Sequence, residues 1–219
     1  MPVKARADLL GHSRKPPPSA DNPSKWYEPL CQGKCAATIL IGRQLNTGLA
    51  AVFGKSTFVS SENYQYGNSY FVGGAISRSF LEFGRLFALE IEVGVGQRLG
   101  SLHESEAWIA LYGRWKYFPW NDYLRTTIAV STGLNYASGV TPYEAGESVD
   151  GKGTRLLHYF SPEFTFALPK NPDRELVIRF HHRSGGGADF GNNFLAYGSL
   201  FRGAQGGMQY LTIGLRQHF

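Results

Sequence analysis

The sequence predicts an all-β fold: an eight-stranded antiparallel transmembrane β-barrel preceded by a Pro-rich N-terminal tail. Three observations predict it. Apolar residues recur with period two over most of the chain, the segments between these stretches alternate in length, and the last stretch ends in phase on an aromatic, Phe219. Composition is compatible. The chain is aromatic (14%), rich in glycine (27 Gly) and only 18% charged. It contains no run of about 18 apolar residues, which excludes a transmembrane helix. Alternation hides hydrophobicity, so the slightly negative mean hydropathy is that of an ordinary chain.

Taken in order, residues 1–34 are expected to form a poorly ordered periplasmic tail, because Lys15-Pro16-Pro17-Pro18-Ser19 and Asp21-Asn22-Pro23-Ser24 favour extended backbone. Met1-Pro2-Val3-Lys4 is basic with no apolar stretch behind it, so no signal peptide is expected in this sequence. Cys31 and Cys35 are the only cysteines. Two sulfurs cannot close a zinc site, and the spacing is not the two-residue redox motif, which leaves a small disulfide loop or free thiols.

The barrel is expected over residues 35–219. Strands are placed at 36–52, 69–80, 87–99, 105–118, 124–138, 157–168, 174–184 and 208–219. The clearest sets Phe87, Leu89, Ile91, Val93 and Val95 against Ala88, Glu90, Glu92, Gly94 and Gly96. Leu124 to Tyr136 and Ala107 to Phe118 repeat the pattern, and Leu211, Ile213, Leu215 and Phe219 share one face of the last strand. The second, fourth and sixth connections are short (Leu81–Leu86, Pro119–Tyr123, Pro169–Asp173), whereas three of the other four are long. Short periplasmic turns, long external loops and an even strand count match bacterial outer-membrane barrels. The in-phase terminal aromatic resembles their recognition signal.

The net charge of +5 does not indicate a nucleic-acid partner, because Lys and Arg are scattered rather than gathered into a stripe. Phosphorylated glycolipid is the polyanion that suits such cations on a barrel. Glu90, Glu92, Arg114, Lys116, Arg125, Glu163, Arg179 and Arg216 fall on lumen-facing phases and are expected to pair. No Gly-rich phosphate loop, metal-ligand cluster or dinucleotide fingerprint is present.

The segment with chemical potential runs from Glu175 to Gly186. Its apolar phase, Leu176, Ile178 and Phe180, continues into His182 and Ser184, while Val177, Arg179, His181 and Arg183 face the lumen. By parity the seventh strand runs outward, so His182 and Ser184 face lipid near the external rim. Polar side chains are ordinary in that zone. An imidazole two residues before a hydroxyl on one face can also act as its base. Pairs across the sixth hairpin sum to about 342, which sets His158 opposite Ser184, as a second base or half of a metal pair with His182.

His182-Arg183-Ser184 resembles the His-x-Ser pair of the lipid A 3-O-deacylase family, eight-stranded outer-membrane barrels that hydrolyse an ester-linked acyl chain of lipid A. The resemblance covers the architecture loosely and Leu176–Ser184 more closely. It implies Ser184 as nucleophile and His182 as base, with no cofactor and no metal. Two positions depart from the family. Gly185 stands where an Asn usually follows the Ser, and the orienting Glu maps onto Ala196. Asp189, or an amide from Asn192 or Asn193, is the expected substitute orienter, and backbone N–H groups of Gly185 and Gly186 are candidate oxyanion donors. The expected function is an outer-membrane lipid A ester hydrolase acting on lipopolysaccharide, as a monomer or weak homodimer. The alternatives are a non-enzymatic structural barrel and a metal-using lipid A oxidase.

Overall fold

The structure is a computed structural model and describes residues 31–48, 52, 64–148, 150–185, 201, 204 and 206–219. Among the described residues nine strands form one closed antiparallel ring: β1 (Cys35–Leu45), β2 (Tyr66–Phe83), β3 (Phe87–Gly100), β4 (Ser105–Trp115), β5 (Arg125–Ala137), β6 (Leu156–Phe160), β7 (Glu163–Leu168), β8 (Asn171–Ser184) and β9 (Gly207–His218). Each strand pairs with its neighbour in sequence except β6 and β7, which both pair with β5 and β8, and β9 closes the ring on β1 from Ala36↔His218 to Gln44↔Tyr210.

The ring has eight positions because β6 and β7 together fill the sixth. Both lie between β5 and β8, and the register is the same on either side of the gap: His158↔Ser184 and Phe160↔His182 precede it, Glu163↔Arg179 and Phe164↔Ile178 follow it. The expected single strand over 157–168 is therefore interrupted without a slip. Pro162 explains the break, since it has no N–H to give to the ladder. Its carbonyl still accepts from the Phe180 amide at 2.9 Å. The remaining strand boundaries agree with expectation to within a few residues, apart from β1, which ends at Leu45 rather than at residue 52.

Alternation sorts the side chains as the pattern requires. Ile39, Ile41, Val72, Ile76, Val93, Val95, Ile109, Leu111, Ile213 and Leu215 are exposed on the outer face. The interior is filled. An eight-stranded barrel is only wide enough for its own side chains, and glycine provides the room for large ones. Gly94 lies opposite Trp108, whose indole occupies the space a Cβ would need, and Phe71 covers Gly73 and Gly96 in the same way.

Charges in the lumen form a two-tier network. In the lower tier Glu163 receives Arg114 (2.8 Å), Arg179 (2.6 Å) and Arg216 (2.8 Å). Glu90 pairs with Arg114 at 2.7 Å and Glu92 with Arg179 at 2.7 Å. Six of the eight expected members meet there. Lys116 instead reaches Glu82 at the barrel end that carries the short turns (3.6 Å), and Arg125 is exposed, because both lie where the strands end and water is available. The upper tier was not expected. Arg98 pairs with Glu106 at 2.8 Å, and His181 bridges Glu106 and the Tyr159 hydroxyl inside an aromatic cage of Phe71, Trp108 and Tyr159.

A short helix, α1 (Pro142–Gly146), follows β5 and closes the upper tier. Thr141 and Glu144 form a reciprocal capping box at 3.0 and 3.1 Å, and the second carboxylate oxygen of Glu144 pairs with Arg183 at 3.1 Å. At the other end Cys31 and Cys35 form a disulfide, which resolves the choice that spacing left open.

Removing one partner from a buried ion cluster leaves the others uncompensated. Glu163→Gln is expected to cost about 3–5 kcal/mol, measured as a lowered urea midpoint for folding into detergent micelles. An unchanged midpoint would show that the cluster does not hold the strands together.

Candidate active site on the lipid-facing wall

Near the external rim the apolar outer phase gives way to polar residues across four adjacent strands. Thr132 lies on β5, His158 on β6, His182 and Ser184 on β8, and Gln209 on β9. Register brings them together: His158 is directly opposite Ser184, Phe160 opposite His182, and Gln209 opposite His182 on the other side. Directly opposed residues on one face stand about 5 Å apart at Cβ, and diagonal neighbours about 7–8 Å. His182 therefore has Ser184 two places along its own strand, His158 on the diagonal and Gln209 beside it.

Although they belong to the outer phase, His158, His182, Ser184 and Gln209 are buried, as is Phe180 below them. Phe180 packs with Leu45 and Val52, with Tyr64 and Phe160 at the edge. This apolar cluster lies beside the polar patch on the outer face. The inward phase of the same strand places Arg179, His181 and Arg183 in the two lumenal networks, so β8 cannot rotate or slip without burying unpaired charges.

Gln209 orients His182. Its side-chain oxygen is 3.0 Å from His182 Nδ1, and its side-chain amide donates to the backbone carbonyl of Thr47. With the amide fixed in that sense, Nδ1 carries the proton and donates to Gln209, leaving Nε2 as the basic nitrogen. His158 is fixed separately, through its Nε2 to the Thr132 hydroxyl at 2.9 Å. Among the described residues no three His, Cys, Asp or Glu side chains converge as a metal-binding set. His158 and His182 therefore gain no third donor there.

The residues expected from sequence divide cleanly. His182, Ser184 and the opposed His158 come together as the alternation and hairpin register required. Gly185 is buried and passes so close to the Ala204 backbone that a Cβ would overlap its carbonyl. That contact gives a structural reason for glycine where the resembled family has Asn. Asp189, Gly186, Asn192 and Asn193 lie outside the described residues. Gln209 was missed. Its signal was a polar residue preceding Leu211, Ile213 and Leu215 on the outer phase of the last strand, but its register to β8 is not readable across the long connection that precedes it.

No family model matches the chain, and no curated protein matches it. Solved structures do. The outer membrane enzyme PagL is 10% identical, with a TM-score of 0.50, over 83% of this chain and 98% of that one. Neisserial surface protein A (NspA) is 9% identical, with a TM-score of 0.47, over 85% of this chain and 97% of that one. Ail, the attachment invasion locus protein of Yersinia pestis, is 8% identical, with a TM-score of 0.36, over 85% and 99%. At such identities the likeness concerns the fold alone. The chain has the fold of bacterial outer-membrane β-barrels, and its outer face is apolar.

Proposed function

We propose that this protein is an outer-membrane ester hydrolase that removes an acyl chain from lipid A, with Ser184 as nucleophile, His182 as general base and Gln209 as the orienting amide. The observation that supports it most directly is the position of the His182–Ser184 pair. It lies on the lipid-facing phase at the outer-leaflet rim, with His182 Nδ1 anchored by Gln209. A base and a hydroxyl on the outer phase, covered by neighbouring side chains at the rim, have esters of the membrane as the nearest class of substrate.

The chemistry follows from that orientation. His182 Nε2 takes the Ser184 proton as Oγ adds to the ester carbonyl, and the imidazolium returns it to the departing sugar alkoxide. Water then adds to the acyl-serine with the same nitrogen as base, and the fatty acid leaves. Backbone N–H groups of Gly185 and Gly186 are the oxyanion donors in this reading. Gln209 takes the orienting part that sequence reasoning sought in Asp189, Asn192 or Asn193. An amide can do this because the task is to hold the Nδ1–H tautomer rather than to accept a proton.

Mass spectrometry of lipid A from cells exporting the protein is expected to show loss of one hydroxyacyl chain, and Ser184→Ala to abolish it. Unchanged lipid A with a folded wild-type barrel would favour the structural reading. A gain of oxygen mass insensitive to Ser184→Ala would favour the oxidase.

Gln209→Ala is expected to lower the rate by roughly 10- to 100-fold, less than loss of Ser184, since a mis-held base retains part of its function. The same substitution should redistribute the His182 tautomers, read from ring nitrogen shifts by NMR in micelles. A rate loss without a tautomer change would contradict the orienting role.

A further inference from the structure

We propose that Arg43, held between Tyr66 and Tyr70, is a binding site for the phosphate group of a membrane lipid whose acyl chain lies in the groove beside it. Arg43 continues the lipid-facing phase of Ile39 and Ile41 near the external end of β1, and it is exposed. A cation on the lipid side of a barrel is tolerated near the interface and costly at the midplane. The position therefore admits an arginine without requiring one.

The fixed geometry of the side chain distinguishes this arginine from an ordinary rim cation. Nε donates to the Gly67 carbonyl at 2.9 Å, and the guanidinium carbon is 5.4 Å from the Tyr66 ring centre and 5.9 Å from that of Tyr70. Among the described residues it forms no ion pair with a carboxylate. Both terminal nitrogens thus remain for a ligand, in a plane set by the two rings and the Gly67 bond. A planar fork of this kind matches phosphate bidentately, as an ammonium does not.

The surroundings select a lipid over free phosphate. Ile41, Val72, Ile178, Leu211 and Ile213 line an apolar groove that adjoins Arg43 along β1, β2, β8 and β9. An inorganic anion has no use for it, whereas an acyl chain beneath a phosphorylated headgroup fills both parts. Arg43 pairs with Leu211, two positions along β9 from Gln209, the partner of His182. Two inter-strand spacings and two residues of rise separate Arg43 from His182 by roughly 12 Å. One glycolipid headgroup can span that distance, so the site would anchor the substrate of Ser184, and this last step rests on the hydrolase reading.

The test uses the full chain carrying Ser184→Ala, folded in detergent micelles and titrated by native mass spectrometry with lipid A or with lipid A stripped of its phosphates. Phosphorylated lipid A is expected to bind roughly tenfold more tightly, with Arg43→Gln erasing the difference and Arg43→Lys restoring only part of it. Inorganic phosphate should fail to displace the lipid. Equal binding of the two lipids, or a preference that survives Arg43→Gln, overturns the proposal, as does displacement by inorganic phosphate. Heat-modifiable gel migration verifies that each variant is folded. Binding is read without turnover, so a protein that selects phosphorylated lipid yet hydrolyses nothing would refute the hydrolase and leave this site standing. Hydrolysis with no phosphate preference would do the reverse.

Discussion

Glu163 sits in the lumen with three guanidinium groups around it, those of Arg114, Arg179 and Arg216, which arrive from β4, β8 and β9. Glu90 and Glu92 on β3 complete the charge balance. Five of the eight strand positions are tied together at this level. Bare charges in so narrow an interior would be prohibitive, and each of these groups finds a partner only in one register. The network therefore acts less as a source of stability than as a specification of which residues face inward. Since strand side chains alternate, it also specifies which residues face lipid.

That coupling accounts for the candidate site. On β8, Arg179, His181 and Arg183 are committed to lumenal partners, so Phe180, His182 and Ser184 are committed to the outer wall. A one-residue slip would exchange the two sets and place a hydroxyl and an imidazole among the charges. The upper network, with α1 anchored through Glu144, holds the end of β8 where Ser184 lies.

The outer wall near the rim then presents two kinds of chemistry side by side. One is the proposed base and nucleophile, His182 and Ser184, with Gln209 at His182 Nδ1 and His158 opposite Ser184. The other is the guanidinium of Arg43, its plane set by Tyr66 and Tyr70. Between and below them lies apolar surface contributed by Leu211, Ile178 and Phe180. The phosphorylated, acylated lipid proposed as ligand is a class of molecule that offers complementary groups to all of these at once.

Much of this was determined by the sequence itself, because local rules carry it. Period-two alternation assigned faces, and the short turn between β7 and β8 fixed the register that sets His158 opposite Ser184. Other features required the folded chain. Pro162 interrupts the sixth strand position, yet the register on both sides is unchanged, and a single missing donor in sequence does not reveal that. Gln209 reaches His182 only through pairing across a long connection, whose length leaves the register free until the barrel closes. The same closure brings Glu106 to His181, Arg183 to Glu144, and Arg43 of the first strand within reach of β8. Alternation tells which way a side chain points. Ring closure decides what it meets there, because strands distant in sequence become neighbours only when the last pairs with the first.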